Sequence, residues 1–274
     1  MKKHWLYNST VVVTGASGGL GFSIAKLLIE KYDCKVYGIA RNKEKIEKSI
    51  LSLGEKKSNF SYKLFDVSVK ENWLDFKNYL IENNIGVDVL INNAGYMLPF
   101  SKFGDLPLNE TDSIIATNFN ACCYSINALL PIISKSKKPA IINISSSAGL
   151  CPVIGESLYV ASKFALRGFT ETIMQEYKNI YIGGVYPGFI KTDILSKVDK
   201  SSIDEKLIGK VMMSLPKATK KIVKRIAKRK RKTVTGLDGK FMYYGYKISP
   251  KFTGFLIKTV LKKSKLDMFR DLFE

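Results

Sequence analysis

From residue 10 to residue 186 the chain alternates short runs of β-branched residues with longer segments whose apolar residues recur every three or four positions. No other feature restricts the fold as much, because strands separated by helices share one sheet only by crossing over it. That makes the sheet parallel and puts helices on both faces. The pattern predicts strands near 10–14, 35–40, 61–66, 87–91, 139–145 and 180–186, and helices near 19–31, 42–53, 70–84, 107–134 and 157–178. The expected fold class is α/β, a doubly wound parallel sheet of about seven strands. With no internal repeat or low-complexity linker, 274 residues suit one nucleotide-binding catalytic domain spanning 1–274. After Pro187-Gly188 the pattern loosens. Residues 188–216 read as a substrate loop and 217–274 as a basic C-terminal cover. Within that cover the pattern predicts a basic helix near 217–231, a short strand near 233–236 and an amphipathic stretch near 250–263.

The segment Thr14-Gly15-Ala16-Ser17-Gly18-Gly19-Leu20-Gly21 stands between the first strand and the first helix, the setting in which a glycine-rich loop binds a nucleotide. Gly15 suits a tight turn, Gly19 a close approach of backbone to phosphate, and Gly21 close packing of helix on strand. The free amides of the helix N-terminus would face the pyrophosphate. At the end of the second strand an acidic side chain would bond a ribose hydroxyl and repel a phosphate. The chain instead has Arg41, whose planar fork suits a 2′-phosphate, so NADP(H) is expected over NAD.

Tyr159 and Lys163 are four residues apart and share one helix face. A free tyrosine is a poor base near neutral pH, and a neighbouring ammonium is expected to favour its phenolate. Ser146 lies thirteen residues earlier at the end of a strand, where an open parallel sheet presents its ligand crevice, and its hydroxyl can donate to a developing oxyanion. Asn118 interrupts an otherwise apolar helix at Thr117-Asn118-Phe119-Asn120.

These residues, in this order, resemble the short-chain dehydrogenase/reductase family over about residues 8–195. The resemblance rests on the glycine loop, Asp66-Val67, Asn92-Asn93-Ala94-Gly95, Asn118, Ser145-Ser146-Ser147, the run from Tyr159 to Lys163, and the run from Pro187 to Thr192. It implies a Rossmann-like, NADP-preferring oxidoreductase acting on a carbonyl or secondary alcohol through Tyr159, Lys163, Ser146 and Asn118, the last helping to relay protons through water. It further implies that Asp66 and Val67 hold the adenine, that Asn92, Ala94 and Gly95 line the ribose side, and that Ile190 and Thr192 meet the carboxamide beyond Pro187 and Gly188. Ser17 is expected as a second phosphate contact, with Leu20 in the same loop, although the family's usual basic residue is missing at Gly18. A homodimer or homotetramer is expected. The alternative is a non-catalytic NADP-binding sensor or scaffold, and the presence of both Tyr159 and Lys163 weighs against it.

The chain is strongly basic, at +20, and from Lys197 onward 22 Lys and Arg face 7 Asp and Glu. The run Lys228-Arg229-Lys230-Arg231-Lys232 comes with no helix-turn-helix, zinc or RNA-binding signature, so nucleic acid is not the expected partner. Residues 218–228 and 252–261 instead read as amphipathic elements with cationic flanks: the first suits a helix packed on the sheet with a solvated basic face, and the alternative is that the two together make peripheral contact with an anionic membrane. Four cysteines without zinc-site or disulfide-scaffold spacing suggest a reducing compartment and no metal. The start runs directly into the first strand, leaving no room for a signal segment, so a cytoplasmic location is expected. Tyr96, Phe100, Phe189, Tyr243 and Tyr244 read by default as core packing and alternatively as the lining of a pocket, and the apolar loop from Tyr96 to Phe100 with the C-terminal aromatics points to an apolar substrate such as a lipid, steroid or aromatic ketone.

Overall fold

The computed structural model describes residues 4–191, 212–264 and 267–274. Seven parallel strands form one sheet in the order β3-β2-β1-β4-β5-β6-β9. They are β1 (Thr10–Thr14), β2 (Lys35–Ala40), β3 (Phe60–Leu64), β4 (Val89–Asn92), β5 (Ala140–Ile144), β6 (Tyr181–Pro187) and β9 (Lys232–Thr235). The two-residue strands β7 (Ile190–Lys191) and β8 (Met213–Ser214) pair separately. The sheet is the doubly wound one that the alternation predicts. Its order reverses between β1 and β4, and at such a switch point the loops beyond the strand ends diverge and leave a crevice.

The central strands are largely apolar because both faces are covered; all five residues of β5 are buried, Asn143 among them. On one face α1 (Gly19–Tyr32), α2 (Lys43–Leu51) and α7 (Leu215–Ala227) close over Val11, Val13, Ile142 and Val185. On the other lie α3 (Lys70–Glu82), α5 (Ala121–Ile133) and α6 (Ser157–Glu176), packed through Trp73, Phe76, Leu129 and Leu166 against Val12, Leu90 and Ile141, with α4 (Leu108–Ile115) against α6.

Three expectations need correction. The continuous helix near 107–134 is two helices joined by a π-turn at Ala116–Asn120, because Asn118 there bonds outward to another loop rather than serving the helix. The basic helix stops at Ala227, and its apolar residues Ala218, Ile222, Val223 and Ile226 are buried against α1 and the sheet. It therefore offers no apolar face to a membrane. Finally, α8 (Leu237–Ile248) was not anticipated, since its aromatics and its glycines Gly239 and Gly245 argue against a helix. In the fold those glycines serve close packing: a β-carbon on Gly239 would lie 3.2 Å from the Gly188 nitrogen, and one on Gly245 would lie 2.9 Å from Thr253 Oγ1 of α9 (Pro250–Lys263).

Candidate active site

The carboxyl ends of β1, β4 and β5 bring the expected residues to the crevice. After β1 the chain turns through Gly15 at φ +65° and Gly19 at φ +51°. A β-carbon on Gly19 would meet nothing within 4 Å, whereas one on Gly21 would run into the Gly15 carbonyl. The loop is thus open at Gly19 and closed at Gly21, a cradle of free amides with room for a phosphate. The Thr14 hydroxyl accepts from the backbone amides of both Asn93 and Ala94 at 2.9 Å, and Asn93 Nδ2 donates to the Thr14 carbonyl at 3.0 Å. These bonds lock the ends of β1 and β4 together beneath the crevice. Thr14 and Asn93 both belong to the motifs read from the sequence, but their bonding to each other spans 79 positions and is set only by the fold.

The side chain of Asn92 turns away from the crevice. It donates to Asn143 Oδ1 at 3.0 Å and accepts from Ser125 Oγ at 2.7 Å, within a buried polar network that continues to Thr170. Asn92, with Ala94 and Val67, borders a small cavity that also reaches Asn118. Asp66 accepts from the amide and hydroxyl of Ser68 at 2.9 and 2.7 Å and from Arg41 Nη1 at 3.4 Å. Burial raises its pKa, but the Ser68 bonds and the Arg41 charge outweigh that and hold the carboxyl below its usual value. Arg41 itself is 71% exposed.

A second cation stands nearby. Asn42 caps α2 by accepting from the Lys45 amide at 2.7 Å, and the Lys45 side chain then reaches over the glycine loop, with Nζ 3.5 Å from where a Gly18 β-carbon would sit. The basic group absent from position 18 is thus present in space. A lysine at the third position of a capped helix was the available signal. Ser17, whose carbonyl accepts from Ser49 at 2.9 Å, and Leu20 lie on the same loop.

Ser146 follows β5 and begins a 3₁₀ turn, Ser147–Gly149, by accepting from the Ala148 amide at 3.2 Å. That turn packs directly on α6: Ser145 Oγ donates to the Lys163 carbonyl at 3.1 Å, and a β-carbon on Gly149 would stand 2.6 Å from the same carbonyl. Ser146 is consequently brought close enough to Tyr159 for its hydroxyl to favour the phenolate. Lys163 Nζ lies 5.5 Å from the Tyr159 ring centre, and both it and Asn118 Oδ1 lie against the Cα of Gly95. Asn118 accepts from the Tyr96 amide and donates to the Tyr96 carbonyl, each at 2.9 Å, and donates to Ser162 Oγ at 3.1 Å.

The electrostatics differ from expectation. Burial of its hydroxyl, aided by the charge of Glu156 and opposed by the nearby Ser146 hydroxyl, pushes Tyr159 above the ordinary tyrosine range. Lys163, which is buried, is lowered to about 8 by desolvation. Desolvation thus dominates over the neighbouring ammonium, and Tyr159 rests as a phenol. Glu156 was not foreseen: it is 6% exposed, its Oε1 lacks a hydrogen-bond partner, and burial pushes it up to about 8. It borders a small cavity with Leu98, Pro99, Leu106 and Tyr159.

Pro187 ends β6, Gly188 donates to the Thr235 carbonyl at 2.9 Å, and Phe189 donates to Asp238 Oδ2 at 2.5 Å, so the N-terminus of α8 pins the segment that carries Ile190. Thr192 and much of the expected substrate loop lie outside the described residues. Phe100 is core, edge-on to Phe269 at 4.7 Å, and Tyr244 is 60% exposed.

The short chain dehydrogenase family matches residues 9–202. The chain is 34% identical over 209 residues to the 3-oxoacyl-(acyl-carrier-protein) reductase of Chlamydia trachomatis, covering 74% of this chain and 83% of that protein. It is 35% identical over 210 residues to an uncharacterized oxidoreductase of Staphylococcus saprophyticus, covering 72% and 82%. The fold is similar to that of an alcohol dehydrogenase from Thermococcus sibiricus complexed with 5-hydroxy-NADP, with a TM-score of 0.72 at 22% identity over 83% of this chain and 96% of that one. Family match, relatives and fold together show that the chain belongs to the short-chain dehydrogenase/reductase family and is an oxidoreductase.

Proposed function

We propose that this oxidoreductase uses NADP(H) to interconvert an apolar ketone and its secondary alcohol, with Tyr159 as the acid–base residue. The observation that carries the reading is the convergence of Tyr159, Ser146 and Lys163 at the end of β5, with the half-buried Tyr159 phenol beside Ser146 and the buried Lys163 ammonium 5.5 Å from its ring centre. The nicotinamide coenzyme, when bound, supplies the hydride to the carbonyl carbon or removes it from the alcohol. In the reducing direction Tyr159 gives its proton to the carbonyl oxygen, toward which Ser146 donates a hydrogen bond. Lys163 stabilises the phenolate left behind, and Asn118 fixes the Tyr96 backbone beside it and helps return the proton through water. The open cradle at Gly19 supports a pyrophosphate, with Gly15, Ser17, Leu20 and Gly21 around it. Arg41 and Lys45 provide the positive charge that a 2′-phosphate needs. Asp66 and Val67 serve the adenine; Asn92, Ala94 and Gly95 serve the ribose; Pro187, Gly188, Ile190 and Thr192 serve the nicotinamide.

Residues 188–216 form the substrate loop and 217–274 the cover of the single domain. The apolar run from Tyr96 to Phe100, and relatives named for reducing 3-oxoacyl groups, support a substrate with an apolar body. A homodimer or homotetramer in the cytoplasm, touching the membrane surface through its C-terminal part, completes the reading. Among the described residues no helix is long and apolar enough to cross a membrane.

The test follows absorbance of NADPH and NADH with steroid, aromatic and 3-oxoacyl thioester ketones, using the wild type and Tyr159→Phe. We expect oxidation of NADPH with one of these classes. The variant should keep coenzyme binding and lose turnover by at least about two orders of magnitude. Turnover retained in Tyr159→Phe refutes the mechanism.

A further inference from the structure

Helix α7, whose composition invited a membrane role, has its apolar face buried, but the two helices after β9 do not. Seven of the fifteen large apolar side chains exposed among the described residues fall between Leu237 and Val260. On α8, Leu237, Phe241, Tyr244 and Ile248 are 81, 48, 60 and 85% exposed. Their spacing of i, i+4, i+7 and i+11 puts them within a narrow arc of one helix face. The stripe ends at the turn into α9, where Phe252 and Phe255 are 60 and 63% exposed. A continuous apolar stripe on the outside of a folded chain is a surface that something covers.

Charge indicates what covers it. Between Leu237 and Lys263 there are six lysines and one acid, Asp238. Asp238 is turned inward to the Phe189 amide, and none of the ion pairs among the described residues involves any of the six lysines. A second copy docking through this face about a two-fold axis would set lysines against lysines. A bilayer surface carrying acidic headgroups satisfies both features, with apolar side chains entering the headgroup boundary and lysines among the phosphates.

We propose that the α8–α9 pair, rather than the basic helix α7, is the element that docks this oxidoreductase on an anionic lipid surface. The inference deepens the membrane contact included in the proposed function and rests on it. It also links docking to the candidate site. The inner side of α8 packs Met242 against Phe100, Ala148 and Cys151, and Gly239 lies 3.6 Å from Ser147 Cβ by the position of a β-carbon. One helix therefore separates the lipid from the residues around Ser146, a short path for a ketone dissolved in the bilayer.

Co-sedimentation with phosphatidylcholine vesicles, with and without phosphatidylserine and at low and moderate salt, tests this. Three proteins are compared: the wild type, the stripe variant Phe241→Ser/Ile248→Ser, and the α7 variant Lys220→Gln/Lys221→Gln/Lys224→Gln. Both altered sets are exposed, and NADPH fluorescence and thermal melting check that each variant is folded. We expect the wild type to bind phosphatidylserine vesicles in a salt-sensitive way, the stripe variant to bind at least about tenfold more weakly, and the α7 variant to keep most of its binding. If the α7 variant loses binding while the stripe variant keeps it, membrane contact stands and α8–α9 is not its site. If the wild type binds no vesicle, membrane contact itself fails. If the stripe variant instead changes the oligomeric state in light scattering, the occupant is a second copy and the proposal is overturned.

Discussion

Arg41 and Lys45 illustrate how far single residues can be read. Arg41 is 71% exposed and pairs with Asp66 at 3.4 Å, an exposed pairing that contributes little to stability and is easily exchanged for a phosphate. Lys45 comes over Gly18 from a different helix. If the two act together on a 2′-phosphate, Arg41→Asp should reverse or abolish the preference for NADPH over NADH. Lys45→Ala should reduce it by about tenfold, roughly the worth of one partly exposed charge on a phosphate. Fluorescence titration with both coenzymes measures the ratio, and a ratio unmoved by either change assigns the phosphate to other residues. The expectation for Arg41 comes from its place at a strand end, which carries a consequence for ribose recognition. Lys45 was not legible in the sequence, because its relevance arises only when α2 folds back over the loop.

At the scale of elements, the candidate site depends on how closely the 3₁₀ turn after β5 approaches α6. Gly149 has no room for a side chain against the Lys163 carbonyl, at 2.6 Å from an added β-carbon, and backbone cannot yield as a flexible side chain can. Gly149→Ala should therefore shift the turn, destabilise the fold by about 1–3 kcal/mol and move Ser146 relative to Tyr159. Urea denaturation should show the loss of stability, and steady-state kinetics should show kcat falling more than coenzyme affinity. Equal kcat in a destabilised variant would show that the turn is structural only. The periodic elements were legible, from β1 to β6 and α1 to α6, because apolar period reports burial directly. The π-turn at Asn118 and helix α8 were not, since in both a long-range contact overrides local preference: Asn118 bonds the Tyr96 backbone, and Gly239 and Gly245 allow α8 to pack where larger residues would clash.

For the molecule as a whole, Glu156 couples the site to stability. Its pKa is raised from 4.5 to about 8 by burial. Between those values the folded chain holds a proton that the unfolded chain has released. The associated stability is fully present below about pH 4.5 and is lost as the pH rises through about 8. Each unit is worth on the order of 1.4 kcal/mol at most. Glu156→Gln keeps the shape and removes the ionisation, so its thermal stability should match the wild type near pH 5 and exceed it by several degrees above about pH 8. Parallel melting curves across that range would mean that Glu156 is solvated or paired. The sequence by itself determined the sheet, the glycine loop between β1 and α1 and the placing of Tyr159 and Lys163 on one helix face, because these follow from periodicity, glycine positions and helical spacing, all of which are local. It also located the excess charge in the last third of the chain. Tertiary structure alone decided which apolar faces are covered. It buried that of α7 and left that of α8 in solvent. It also set the protonation of the site, since desolvation at Tyr159, Lys163 and Glu156 depends on atoms far away in sequence.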